Sequence, residues 1–181
     1  MLRIGASLVG ISPGWSSGFF IAPNLILTAA HCLRDRPDDV KINLRNGATI
    51  DGKIVKKDVD YDLGLIEVDR RKHTQPSLSI KSRAECLIDH QLSVARLLPE
   101  RNDNGHPFQI EFGEYRNIVN ANNPKSWSAW FHKMKFDTSL DGFSGSPIVV
   151  KGQVCGMLVR GDDRYVYAVP SFDIDYLIFR L

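Results

Sequence analysis

Apolar and polar residues alternate in short runs along most of this chain, and runs with a helical period are scarce. Val40-Lys41-Ile42-Asn43-Leu44 alternates strictly, as a half-buried antiparallel strand should. The same reading predicts strands over residues 6–11, 18–21, 25–28, 40–44, 52–55 and 63–68. Pro23-Asn24, Asn46-Gly47 and Asp51-Gly52 punctuate them as turns. A second set is predicted over residues 91–97, 108–112, 147–150, 154–159 and 165–169, with Lys151-Gly152 as a tight hairpin. Between the sets, residues 69–84 are mostly polar and read as a connector, its Arg70-Arg71-Lys72 triplet solvated. Residues 101–128, rich in Asn, Gly and charge, read as a strand-linking loop. Helix is expected only as one turn over 29–33 and at 171–181, which opens on Ser171 with Asp173 in its first turn. The expected fold is all-β. Two groups of about six strands form two antiparallel β-barrels, over about 1–75 and 85–170, followed by a short C-terminal helix.

Composition adds exclusions. A chain of 181 residues with 43% hydrophobic and 24% charged residues can bury a core, which excludes a disordered or low-complexity protein. Lys+Arg 23 against Asp+Glu 21 leaves +2, no electrostatic footprint for nucleic acid. No apolar run approaches the ~18 residues of a membrane span, so no membrane partner is expected. Cys32, Cys86 and Cys155 are odd in number, so at least one thiol stays free and no closed disulfide framework is expected. The apolar N-terminal stretch is broken by Gly5, Ser7 and Gly10, and reads as mature structure rather than a leader. Thiols and targeting together lead us to expect a reducing, cytoplasmic compartment. Neither Cys-x-x-Cys nor His-Glu-x-x-His occurs, so no metal and no cofactor is expected.

Three segments carry candidate chemistry. Leu27-Thr28-Ala29-Ala30-His31-Cys32 is an apolar strand ending in a turn that bears a histidine. Asp60-Tyr61-Asp62-Leu63-Gly64-Leu65-Ile66 sets aspartates at the threshold of another strand. Asp141-Gly142-Phe143-Ser144-Gly145-Ser146-Pro147 holds a serine in a glycine-bracketed bend. Each has an ordinary structural reading alone: a core histidine, a turn acid, a Gly/Ser/Pro loop. Together they supply a hydroxyl, an imidazole to take its proton, and a carboxylate to orient the imidazole. An α/β-hydrolase order is excluded because all five histidines precede Ser144, and no Asp precedes His31 as a subtilisin-type order requires.

The blocks "SSGFFIAPNLILTAAHC", "DYDLGLIEV" and "DGFSGSPIV" resemble the three signature blocks of chymotrypsin-like (trypsin-fold) serine peptidases. The resemblance covers nearly the whole chain. It implies two barrels with the active site in the cleft between them, His31 as general base, Asp62 as its orienting acid and Ser144 as nucleophile. It further implies an oxyanion hole from the N–H groups of Gly142 and Ser144, and protein or peptide substrates. Where digestive members pair the cysteine after the histidine with another, this chain has Ser16, so that disulfide is expected to be absent. Phe143 replaces the aspartate that pairs with a released N-terminus, so activation by N-terminal insertion is not expected. "GFSGSP" and "YAVPSF" resemble the bacterial glutamyl-endopeptidase and high-temperature-requirement groups more closely. The resemblance sets the specificity pocket at Thr138 and Ser139, with walls from Val159, Arg160, Gly161 and Tyr165. Thr138 and Leu158 stand where acid- or base-selecting residues sit in relatives, which implies a shallow, uncharged pocket. No PDZ-sized extension follows Leu181, so peptide-binding regulation of that kind is not expected; with no secretion signal or pro-segment read in the sequence, restraint is expected from a regulatory protein partner or an unformed oxyanion loop. A peptidase effector of an intracellular bacterial signalling or defence system, a viral polyprotein-processing protease and a protease-fold binding module all fit this reading.

Overall fold

In the computed structural model the described residues are 6–12, 16–71, 75–80, 91–94, 108–111, 115–120, 123–131, 142–150, 152–161 and 165–178. The first six strands are β1 (Leu8–Ser12), β2 (Ser17–Ala22), β3 (Leu25–Ala29), β4 (Asp39–Leu44), β5 (Thr49–Asp58) and β6 (Leu63–Val68). They close into an antiparallel barrel in the order β1-β2-β3-β6-β5-β4. Closure explains their sequences. In β4 and β5 one face is solvent and the other the barrel interior, so buried and exposed residues alternate. The strands β1, β2, β3 and β6 are buried on both faces and read as continuous apolar runs.

Phe20, Ile26, Ile42, Ile54 and Ile66 belong to the barrel interior cluster. The neighbours of opposite pleat, Phe19, Leu27 and Leu65, leave the barrel on its other side and join a second cluster with Val149, Met157, Val159 and Ile174. That second cluster bonds the barrel to the other half of the chain. The connector takes part in it: Leu78 is buried, its N–H donates to Phe20 O (2.8 Å), and Val154 N–H donates to Ser79 O (2.8 Å). Arg70 and Arg71 are exposed, as expected of a solvated turn.

The second half is a seven-stranded sheet. Its strands are β7 (Gln91–Val94), β8 (Phe108–Glu111), β9 (Tyr115–Asn120), β10 (Asn123–Phe131), β11 (Pro147–Val150), β12 (Gln153–Gly161) and β13 (Tyr165–Pro170). They run in the order β8-β7-β11-β12-β13-β10-β9, open among the described residues rather than closed as a six-stranded barrel. The expectation of a loop over 101–128 is corrected here, because β9 and most of β10 lie within it. Polar residues conceal both strands: Arg116, Asn117 and Asn120 interrupt Tyr115, Ile118 and Val119, while Asn123-Pro124 lowers the β-propensity where β10 begins. Pro124 is tolerated there because the β9–β10 register shifts between Asn123 and Trp127. The expected hairpin at Lys151-Gly152 joins Val150 to Gln153, with Gly152 at φ 84°. The helix α1 (Ser171–Ile178) ends the described chain and buries Ile174 in the shared cluster. Among the described residues no helix is long and apolar enough to cross a membrane.

Candidate active site

The strand β3 delivers His31. It pairs with β6 from Leu25↔Glu67 to Ala29↔Leu63, and the chain then enters a 3₁₀ turn, Ala30–Leu33. Immediately before β6, Asp62 sits at φ 55°, a left-handed conformation that costs most residues energy but that aspartate tolerates. Asp58 Oδ1 accepts from Tyr61 N–H (3.0 Å) and shapes that turn. The strained position aims Asp62 at the histidine turn, and three hydrogen bonds hold it there. Ala30 N–H donates to Asp62 O (3.1 Å), His31 N–H to Oδ1 (2.7 Å), and His31 Nδ1–H to Oδ2 (2.6 Å). Both carboxylate oxygens are therefore committed to one residue, and Asp62 is buried.

The Asp62 hydrogen bond, then that to Cys32, raise the His31 pKa from 6.5 to about 10, against the opposing effect of burial. Cys32 Sγ lies 3.5 Å from His31 Nε2. Cys32 is a free, buried thiol, and it shares a cleft with Ser16, so the disulfide absent from the sequence is absent in space. Cys155, by contrast, is disulfide-bonded. An odd count of three permits one such bond and leaves a thiol free, which is Cys32.

Ser144 lies in the turn between Gly142 and Ser146, and that turn is anchored to β2. Ser17 N–H donates to Ser144 O (2.9 Å), and Ser17 Oγ donates to Gly142 O (2.6 Å). Thr28 Oγ1 in turn donates to Ser17 O (2.7 Å). The next residue must be glycine. Gly145 has φ 86°, and a Cβ built on it would stand 2.0 Å from Ser17 O. The hydroxyl of Ser144 donates to Val159 O (3.2 Å) rather than to His31. The N–H groups of Gly142, also at positive φ (82°), and of Ser144 make no hydrogen bond among the described residues. His31 and Ser144 line one cleft of about 460 Å³ with Ser16, Cys32, Arg34, Asp35 and Arg36.

Of the residues expected to form the specificity pocket, Thr138 and Ser139 lie outside the described residues. Val159 is buried, Arg160 exposed and Gly161 half-buried on β12, and Tyr165 begins β13. The β11–β12 pairing ends at Pro147↔Met157. Past the bonds of Leu158 to Gly145 and Ser146, residues 159–161 therefore have no strand on that side among the described residues. Sequence reasoning missed Ser17, Thr28 and Arg36. Ser17 and Thr28 sit inside the first and longest motif block, where a polar residue in an otherwise apolar strand was the available signal. Among the described residues no group of three His, Cys, Asp or Glu side chains could hold a metal.

Comparison with known proteins agrees with this architecture. A structure of the Rv3671c protease in an inactive form superimposes with a TM-score of 0.76 at 15% identity, covering 99% of this chain and 90% of that one. A serine-to-alanine mutant of Rv3671c from M. tuberculosis H37Rv, also an inactive form, gives 0.78 at 15% identity, covering 99% and 88%. No curated protein matches the sequence. The family model of the trypsin-like peptidase domain matches residues 16–157, most of the barrel and the Ser144 turn included. The chain belongs to the trypsin-like peptidase domain family.

Proposed function

We propose that this protein is a serine endopeptidase in which Ser144 attacks, His31 moves the proton and Asp62 orients the imidazole. Membership of the family implies protein substrates. The observation that carries the reading is the His31–Asp62 pairing through both carboxylate oxygens, opening on a cleft shared with Ser144. A carboxylate so placed fixes the Nδ1–H tautomer and leaves Nε2 to face the nucleophile.

The geometry described above is a resting one, with the serine hydroxyl on Val159 O and Nε2 beside the Cys32 sulfur. A substrate strand pairing with the open edge at residues 159–161 supplies an N–H donor for Val159 O. The displaced Ser144 hydroxyl then turns to Nε2. Its oxygen attacks the scissile carbonyl as its proton passes to His31, and the oxyanion is received by the N–H groups of Gly142 and Ser144. His31 returns the proton to the leaving amine, and water releases the acyl group by the same steps reversed. Buried Phe143 offers no counter-ion for an ammonium group, which supports activation without N-terminal insertion.

A fluorophosphonate should label Ser144 in the wild type and leave Ser144→Ala unlabelled. Turnover of a peptide library should fall by roughly 10⁶ in the same variant. Equal turnover in the two proteins contradicts the proposal, and a wild type that binds peptides without labelling or cleaving them favours the binding-module reading.

A further inference from the structure

The cleft continues past His31, and its far wall is basic. Two observations fix which half of a substrate lies there. The acyl side is marked by Ser144 Oγ and Val159 O, 3.2 Å apart at the start of the open β12 edge. The opposite side is marked by Cys32, whose sulfur lies 3.5 Å from His31 Nε2, the nitrogen that hands its proton to the leaving amine. From Cys32 the chain runs directly into Arg34, Asp35 and Arg36, all lining the same cleft. That wall therefore faces the leaving-group half.

Arg36 is half-buried, and its Nη1 is buried with no hydrogen-bond partner among the described residues. An orphaned buried donor is costly, and each one a native structure keeps calls for an explanation. Burial also pulls the guanidinium below its usual range, with Cys32 opposing the shift. Asp35 does not supply a counter-charge. Its backbone is left-handed (φ 57°), and it forms no ion pair with either neighbouring arginine among the described residues. Two arginines thus line the cleft against one aspartate, and a guanidinium fork matches a carboxylate in planar, bidentate geometry.

Resting on the peptidase reading above, we propose that Arg36, flanked by Arg34, selects substrates carrying Asp or Glu on the leaving-group side of the scissile bond. The test uses matched N-acetylated, C-amidated peptides with Asp or Asn at each of the first three leaving-group positions. They are assayed with wild type, Arg36→Gln and Arg36→Lys, and fluorophosphonate labelling of Ser144 is followed in parallel. At one position the Asp peptide should show a kcat/KM roughly tenfold above its Asn twin, the effect of one charge-assisted bond. Arg36→Gln should bring that ratio to about one while labelling and the Asn peptide stay unchanged, and Arg36→Lys should keep part of the preference. A wild-type ratio near one at all three positions overturns the inference. So does an Arg36→Gln variant that slows labelling and both peptides alike, which marks a structural arginine. A wild type that neither labels nor cleaves overturns the peptidase reading as well, whereas labelling without charge preference overturns this inference alone.

Discussion

Replacing Asp62 by Asn changes one oxygen to an amide nitrogen and little else in volume. The carboxylate now accepts from two donors at once, His31 N–H at 2.7 Å and Nδ1–H at 2.6 Å. An amide has one acceptor, so whichever way it turns, its NH₂ faces the other donor or forces the wrong tautomer. Turnover should fall by roughly 10⁴, as in triads where the acid becomes an amide. The same substitution has a stability signature. Pairing with Asp62 is the largest cause raising the His31 pKa from 6.5 to about 10. A raised histidine pKa stabilises the fold fully below the unfolded value, and the gain is lost as pH climbs through the folded value. Taken at face value the shift amounts to about 5 kcal/mol. Solvent reaches 38% of the His31 side chain, however, and screening reduces the figure to about 1–2 kcal/mol. Urea denaturation between pH 6 and 10.5 should show Asp62→Asn less stable by that amount at the acid end, converging on wild type at the alkaline end. Parallel stability curves across the whole range refute the pairing as the source of the shift.

Other perturbations probe separate parts of the site and the fold. Cys32→Ala removes the second contributor to the raised His31 pKa. Because His31 accepts a proton only when neutral, the rise of kcat/KM with pH should move to lower pH, and an unmoved midpoint argues against the sulfur contact. Gly145→Ala puts a Cβ 2.0 Å from Ser17 O at a positive φ. It should lower stability by about 3 kcal/mol or more and abolish labelling of Ser144, whereas a wild-type melting temperature contradicts the close approach. Phe20→Ala empties a fully buried position of the barrel interior. It should cost about 3–5 kcal/mol in urea titration at an unchanged m-value, and a loss under 1 kcal/mol would mean the barrel collapses to fill the gap.

The barrel was legible because its pleat is regular. Alternation in residues 40–44 and the apolar runs in 25–27 and 63–66 report, respectively, one buried face and two. Asp62 was legible for a different reason: an acid at the mouth of such a strand, three segments in a fixed order, and chemistry that uses all three. What could not be read was anything set by contact between distant segments. Ser17 looks like one more small polar residue until the structure brings it 2.6 Å from Gly142 O, across 125 positions of sequence. The strands β9 and β10 escaped because Asn and Pro weaken the local signal that pairing with neighbours overrides. Arg36 escaped because an unpaired guanidinium nitrogen is a property of three dimensions alone.

The Ser17 anchor has a consequence for how such a fold can diversify. The carbonyls of Gly142 and Ser144 are tied to β2 of the first barrel, whose β3 and β6 carry His31 and Asp62, while β12 holds the same turn from the other side through Leu158 and Val159. The candidate site is thereby clamped between β2 and β12, and the outlying strands of the sheet take no part in the clamp. Insertions, deletions and substitutions in the outlying strands β8, β9 and β10 can accumulate without disturbing the bonds that align the Ser144 turn with His31 and Asp62.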